Sequence, residues 1–126
     1  GRVEDVMRLE GKLEGFIDKL ATAPQLNNVF NQYSKDIREN ALRRYNLALY
    51  LKSMCELKPK VLFVGEAPGY HGYRLTGIPF TSEYIIINDN YIFGENRGFR
   101  KTTERQGIQR KTGHPPWQKL TLNKNF

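Results

Sequence analysis

The residue best placed to do chemistry is the carboxylate Glu66, which lies in a loop rich in glycine and proline. The loop runs from Gly65 to Phe80 and contains four glycines and two prolines. Glycines in such a loop let backbone N–H groups approach a phosphate or a developing anion. A carboxylate at this place can orient a water molecule or stabilise positive charge on a sugar ring. Judged by spacing alone, however, an ordinary solvated carboxylate on a turn is the simpler interpretation of Glu66.

Two familiar phosphate-binding patterns are absent from the loop. There is no Gly-Lys-Ser/Thr ending, and Gly65, Gly69 and Gly72 do not form G-x-G-x-x-G, so we expect neither type of phosphate cradle. One cysteine and two histidines cannot build an all-Cys/His zinc site or a four-cysteine iron–sulfur cluster. We therefore expect no metal and no cofactor.

The element that should position this loop is a strand. Residues Lys60–Val64 form a short apolar, β-branched run between Pro59 and Gly65. This pattern is typical of a parallel strand buried on both faces. Because α/β proteins place ligands at the carboxyl ends of such strands, Glu66 is expected to project into a crevice there.

Helices are predicted on both sides of the strand. Apolar residues three and four apart predict an amphipathic helix over Val3–Ala21, and a second helix is expected from Ser34, as N-cap, to Cys55. The predicted buried side of the second helix carries Ile37, Ala41, Leu42, Tyr45, Leu49 and Met54. A third helix is expected after Thr81 or Ser82, through Ile87. The order helix, helix, strand and glycine-rich loop predicts an α/β fold, of which only the opening half is visible.

Composition and charge limit the class of protein. The 126 residues are 39% hydrophobic and 26% charged, with a net charge of +7, which favours a single folded domain and anionic partners. Eight basic and two acidic residues lie in 94–126. This segment is expected to be a solvated basic tail, with a phosphate-contacting arm as the alternative. No apolar run approaches the length of a membrane span, and no signal peptide is visible, so we expect a cytoplasmic protein.

One string of the sequence resembles the first active-site motif of the uracil-DNA glycosylase superfamily, in its Gly-Glu-Ala-Pro-Gly branches. The string is Val61–Gly69, followed by Gly72, Arg74 and Thr76–Glu83. The upstream residues Arg44–Leu47 and Tyr50–Leu51 also resemble the helix that precedes this motif in small bacterial members. The resemblance covers roughly residues 30–88, under half of the chain, and no match is visible to the family's uracil-reading Asn or its second, His-containing motif.

The resemblance implies a three-layer α/β fold and an enzyme that flips uracil out of DNA and breaks its N-glycosidic bond. It assigns Glu66 as the catalytic acidic residue, which positions water or stabilises the oxocarbenium-like sugar. It also assigns residues that bind the substrate. The loop residues Gly65, Ala67, Pro68 and Gly69 would surround the base and sugar, and Phe80 would stack on the flipped uracil. A core aromatic that anchors the loop is an equally good interpretation of Phe80.

Several functions therefore remain open at the level of sequence. The first is a uracil-DNA glycosylase-like DNA repair hydrolase. The second is a catalytically inactive, truncated homologue or a basic module that binds nucleic acid. The third is an unrelated α/β protein that binds a small molecule and shares only the turn. Because an opening half would leave apolar helix faces and a strand edge uncovered, we also expect a homo-oligomer.

Overall fold

The computed structural model describes residues 1–24 and 26–102, and in this part of the chain every regular element is helical. Four α-helices occur: α1 over Arg2–Ala21, α2 over Asn40–Leu57, α3 over Tyr73–Thr76 and α4 over Glu83–Asn88. A 3₁₀ turn covers Glu95–Arg97. None of these described helices combines the length and the apolar composition that crossing a bilayer requires.

The predicted α/β fold is wrong, because the described residues contain no strand. The segment expected to be a buried parallel strand has no regular secondary structure, and its side chains Val61–Val64 are between 68% and 86% exposed. A strand exists only when a neighbour accepts and donates its backbone hydrogen bonds. Within the described residues, no backbone hydrogen bond involves this segment. The opening half of a three-layer fold is therefore not formed, since the sequence pattern specified a strand but not its partner.

Helix α1 confirms the first helix prediction, with bounds within one residue of those expected. Acidic residues occupy its first turn and Lys19 its last, an order that complements the helix dipole. The helix packs on α2 through Ile17, which forms a buried cluster with Tyr33 and Leu47. The rest of α1 is largely exposed to solvent, as Val3 and Met7 show.

Helix α2 begins five residues later than predicted, with Glu39 rather than Ser34 as its N-cap, and buries a different side. The hydroxyl of Ser34 accepts from the backbone N–H of Asp36 in a local turn, and the helix starts at Asn40. Its buried residues are Asn40, Arg43, Asn46 and Leu47, whereas Ala41 and Tyr45 from the predicted face are exposed. The helix ends at Leu57, where Lys58 adopts a left-handed conformation just before Pro59.

A second cluster joins the C-terminal part of the described chain to α2. It consists of Ile78, Ile86 and Phe99, with Tyr50 of α2 packed against it. Helix α4 confirms the third helix prediction, since Ser82 caps it by accepting from the backbone N–H of Ile85. Phe99 is only 1% exposed, so the basic segment 94–126 begins as packed chain rather than as a solvated tail. The prediction for residues 103–126 lies outside the described residues.

Candidate functional site

A cavity of about 780 Å³ lies between the glycine-rich loop and the turn that precedes α4. This volume is in the range of small-molecule sites. The six residues predicted from sequence to form the site all line it: Gly65, Glu66, Ala67, Pro68, Gly69 and Phe80. The remainder of its lining comes from Phe63, Val64, His71, Gly72, Tyr73, Pro79, Thr81, Ser82 and Ile85. Among the described residues, the cavity wall is thus mainly apolar, with one carboxylate and several polar side chains.

Phe80 presents an accessible aromatic ring to this cavity. The residue is 67% exposed and has a φ of 57°, in the left-handed region that residues other than glycine rarely adopt. Its ring meets that of Phe63 edge to face, with centroids 6.4 Å apart. The ring also covers Gly65, because a Cβ at that position would lie 3.2 Å from the Phe80 Cζ. Phe80 is therefore held outside the two hydrophobic clusters rather than serving as a core anchor.

The turn that carries Phe80 is closed by Thr76. Its hydroxyl donates to the carbonyl oxygen of Thr81 at 3.0 Å and accepts from the backbone N–H of Ile78 at 3.0 Å. Thr76 is fully buried. Thr81 adds a second bond within the turn, from its hydroxyl to the Pro79 carbonyl oxygen at 2.9 Å. These bonds hold the backbone on both sides of Phe80 and so maintain its left-handed conformation.

Buried polar side chains bind three consecutive carbonyls at the start of this turn. Arg43 Nε donates to Leu75 at 3.2 Å, Asn46 Nδ2 to Thr76 at 3.1 Å, and the Tyr33 hydroxyl to Gly77 at 2.6 Å. Gly77 has a φ of 80° and lies so close to α2 that a Cβ would be 2.5 Å from the Arg43 carbonyl oxygen. The polar face of α2 thus fixes one wall of the cavity relative to the helices.

Burial has electrostatic consequences for two of these side chains. Loss of solvation, assisted by repulsion from Arg74, lowers the pKa of Arg43 to about 10. Burial raises the pKa of Tyr33 well above the ordinary tyrosine value. Both groups keep their usual protonation states at neutral pH, so Arg43 is a buried cation and Tyr33 a neutral hydrogen-bond donor.

Glu66 lines the same cavity and is exposed to solvent. The backbone around it, from 61 to 68, makes no hydrogen bond within the described part of the chain. Its carboxylate therefore has access both to the cavity and to water. Such a group can accept a proton from a bound water or stabilise a nearby positive charge.

The sequence did not predict one contact inside the cavity and one beside it. Phe63 was assigned to the interior of a strand, yet it lines the cavity beside Phe80. Arg74 lies over two aromatic rings, with its Cζ 4.6 Å from the Phe30 centroid and 5.0 Å from that of Tyr70. Burial lowers the pKa of this guanidinium, and Tyr70 opposes the shift. The alternation of aromatic and basic residues in 70–74 was the available signal for this stacking.

The described residues contain no cluster of three or more His, Cys, Asp or Glu side chains that could hold a metal ion. Comparison of the chain with protein-family models, with curated proteins and with solved structures finds no match.

Proposed function

We propose that this cavity binds a pyrimidine base extruded from DNA and that Glu66 promotes hydrolysis of its N-glycosidic bond, as in the uracil-DNA glycosylase superfamily that the motif resembles. One observation carries the proposal. Glu66 and Phe80 are fourteen positions apart in sequence, yet both line the same cavity. A carboxylate and an exposed ring around one small apolar space are two of the features that excision of a flipped base uses.

Recognition of the base is assigned to the aromatic side chains. A base that enters the cavity can stack on the ring of Phe80, and such stacking contributes about 1 to 3 kcal/mol per base. The edge-to-face ring of Phe63 closes one side of this stack. Gly65, Ala67, Pro68 and Gly69 present only small side chains or a proline ring, which leaves the backbone accessible to the sugar.

Hydrolysis requires that the bond between the sugar C1′ and the base nitrogen breaks and that a bond from water to C1′ forms. The electron pair of the broken bond leaves with the base, which takes a proton from solvent. The ionised Glu66 carboxylate stabilises the positive charge that develops on the sugar and accepts the proton of the attacking water. The proton then returns to solvent, so the enzyme is regenerated.

The direct test is release of uracil from a single-stranded oligonucleotide that contains one uracil. We expect Glu66→Gln to reduce the release rate about a hundredfold or more, because the amide neither carries the charge nor accepts the proton. Phe80→Ala should weaken binding of the oligonucleotide about fivefold to a hundredfold. Glu56→Gln is the matched control, since it removes an exposed carboxylate outside the cavity. If no uracil is released above background at high protein concentration, the proposed hydrolase activity is refuted.

A second function, binding of single-stranded DNA without hydrolysis, is favoured by the exposure of Glu66. A carboxylate in contact with bulk water stabilises a developing charge less than one in a dry site. In that case the wild-type protein and Glu66→Gln bind the oligonucleotide equally and release nothing, whereas Phe80→Ala still weakens binding. The two functions are thus separated by the same set of variants.

A further inference from the structure

The segment 60–66 exposes a run of apolar side chains to solvent, although the Phe80 ring lies against it at Phe63 and Gly65. Its four central side chains, Val61–Val64, are apolar and at least 68% exposed, and its backbone makes no hydrogen bond within the described residues. β-branched and aromatic residues of this kind favour strands. A segment with these properties readily adds to the edge of another strand.

We propose that this segment pairs with the same segment of a second copy of the chain, as an antiparallel strand centred on Phe63. The inference does not depend on the proposed function, because it rests on the exposure, backbone and charge pattern of 60–66. The charges of this segment indicate that its partner is a second copy of the chain. Lys60 and Glu66 lie three positions on either side of Phe63, so antiparallel pairing about this centre places each lysine opposite a glutamate of the other copy.

The remaining residues fit the same register. In an antiparallel pair, residues directly opposite each other share a face. One face then carries, in order, a Lys60–Glu66 pair, two Leu62–Val64 pairs and the second Lys60–Glu66 pair. The other face brings Phe63 against Phe63 and places Val61 opposite Gly65, beside the Phe80 ring that covers this glycine. A shift of register removes both ion pairs, and parallel in-register pairing places like charges opposite each other.

The pairing also connects the second copy to the candidate site. Glu66 lines the cavity, so Lys60 of the second copy places a cation beside this carboxylate. The site of the dimer therefore includes a residue of each copy. Because only a short ribbon is formed, we expect association in the micromolar range rather than a permanent dimer.

The test measures self-association of the full chain by sedimentation equilibrium, without DNA. Lys60→Glu places two glutamates opposite each other at both ends, and Glu66→Lys does the same with lysines. Each variant alone should associate about tenfold more weakly than the wild type. An equimolar mixture of the two should associate about as tightly as the wild type, because both ion pairs re-form in the heterodimer, one as in the wild type and the other with its charges exchanged.

Two controls make the outcome specific. Lys12→Glu reverses the charge of an exposed residue on α1 and should leave association unchanged. Leu62→Asp alters a side chain that is 86% exposed and does not line the cavity, so it should prevent pairing without unfolding the chain. A monomeric wild type, or a mixture that associates no better than either variant alone, would overturn the proposal. Pairing of 60–66 within its own chain would give the first of these results.

Discussion

At the scale of single residues, the conformation of Phe80 is the least expected feature of the site. A left-handed backbone costs an L-residue about 1 to 2 kcal/mol because its Cβ approaches the following carbonyl. Phe80 is 67% exposed and gains little packing in return, so the conformation is imposed by the hydrogen bonds of Thr76 and Thr81. The chain keeps an aromatic ring at a position where glycine would be more stable, which is typical of a functional residue.

This strain predicts an unusual order of stabilities at position 80. Phe80→Gly should be more stable than Phe80→Ala by about 1 kcal/mol, because only alanine retains the Cβ that opposes a positive φ. Both variants lose the ring and should weaken oligonucleotide binding equally. The free energies of unfolding are measured by urea denaturation and the affinities by fluorescence anisotropy.

Tyr84 supplies the matched control for this comparison. It is 75% exposed, and it lies within α4 rather than at a left-handed position. There the order should reverse, with Tyr84→Gly less stable than Tyr84→Ala by about 0.5 to 1 kcal/mol. If the alanine variant is the more stable one at both positions, the backbone at Phe80 is not strained.

At the scale of elements, the polar face of α2 is what fixes the loop on the helices. Asn46 is fully buried and makes three hydrogen bonds, two from its Nδ2 to the carbonyls of Thr76 and Arg100 and one to its Oδ1 from the Arg100 backbone N–H. It joins α2 both to the turn that carries Phe80 and to the chain after the 3₁₀ turn. One side chain thus connects three parts of the chain that are far apart in sequence.

Replacement of Asn46 should therefore destabilise the whole domain. Asn46→Ala leaves buried backbone groups without partners, and we expect a loss of about 2 to 4 kcal/mol in the free energy of unfolding. Asn88→Ala is the control, because Asn88 makes one exposed hydrogen bond within α4 and should change stability by a few tenths of a kcal/mol. Thermal and chemical denaturation measure both, and equal effects would show that Asn46 does not tie the elements together.

The same elements show how far the sequence predicts this structure. The extents of α1 and α4 follow from local signals, a 3.6-residue apolar repeat and a serine cap. The buried face of α2 does not, because Arg43 and Asn46 are buried with partners thirty or more residues away. The prediction of a strand at 60–64 was wrong for a related reason. Strand propensity is a property of the local sequence, whereas pairing requires a partner from elsewhere in the chain. The lining of the cavity could be anticipated because most of it comes from a single motif.

At the scale of the whole molecule, the charge is distributed unevenly. Helix α1 carries four basic and five acidic residues, whereas 94–126 carries eight basic and two acidic ones. The net charge of +7 is therefore concentrated in the C-terminal quarter of the chain. If the cavity binds nucleic acid as proposed, the cations of the described residues 94–102 are expected to contact its phosphates, because each cation that contacts a phosphate releases a counterion.

The salt dependence of DNA binding tests this arrangement. For single-stranded DNA, the logarithm of affinity falls with the logarithm of salt concentration by about 0.7 per phosphate contact. Removal of two exposed cations by the double variant Arg97→Gln, Lys101→Gln should lower this slope by about 1.4 if both contact phosphates. The double variant Lys12→Gln, Lys19→Gln removes the same charge from exposed positions of α1 and should leave the slope unchanged. Equal slopes for the two double variants would mean that binding responds to net charge alone and that the basic C-terminal segment makes no particular contact.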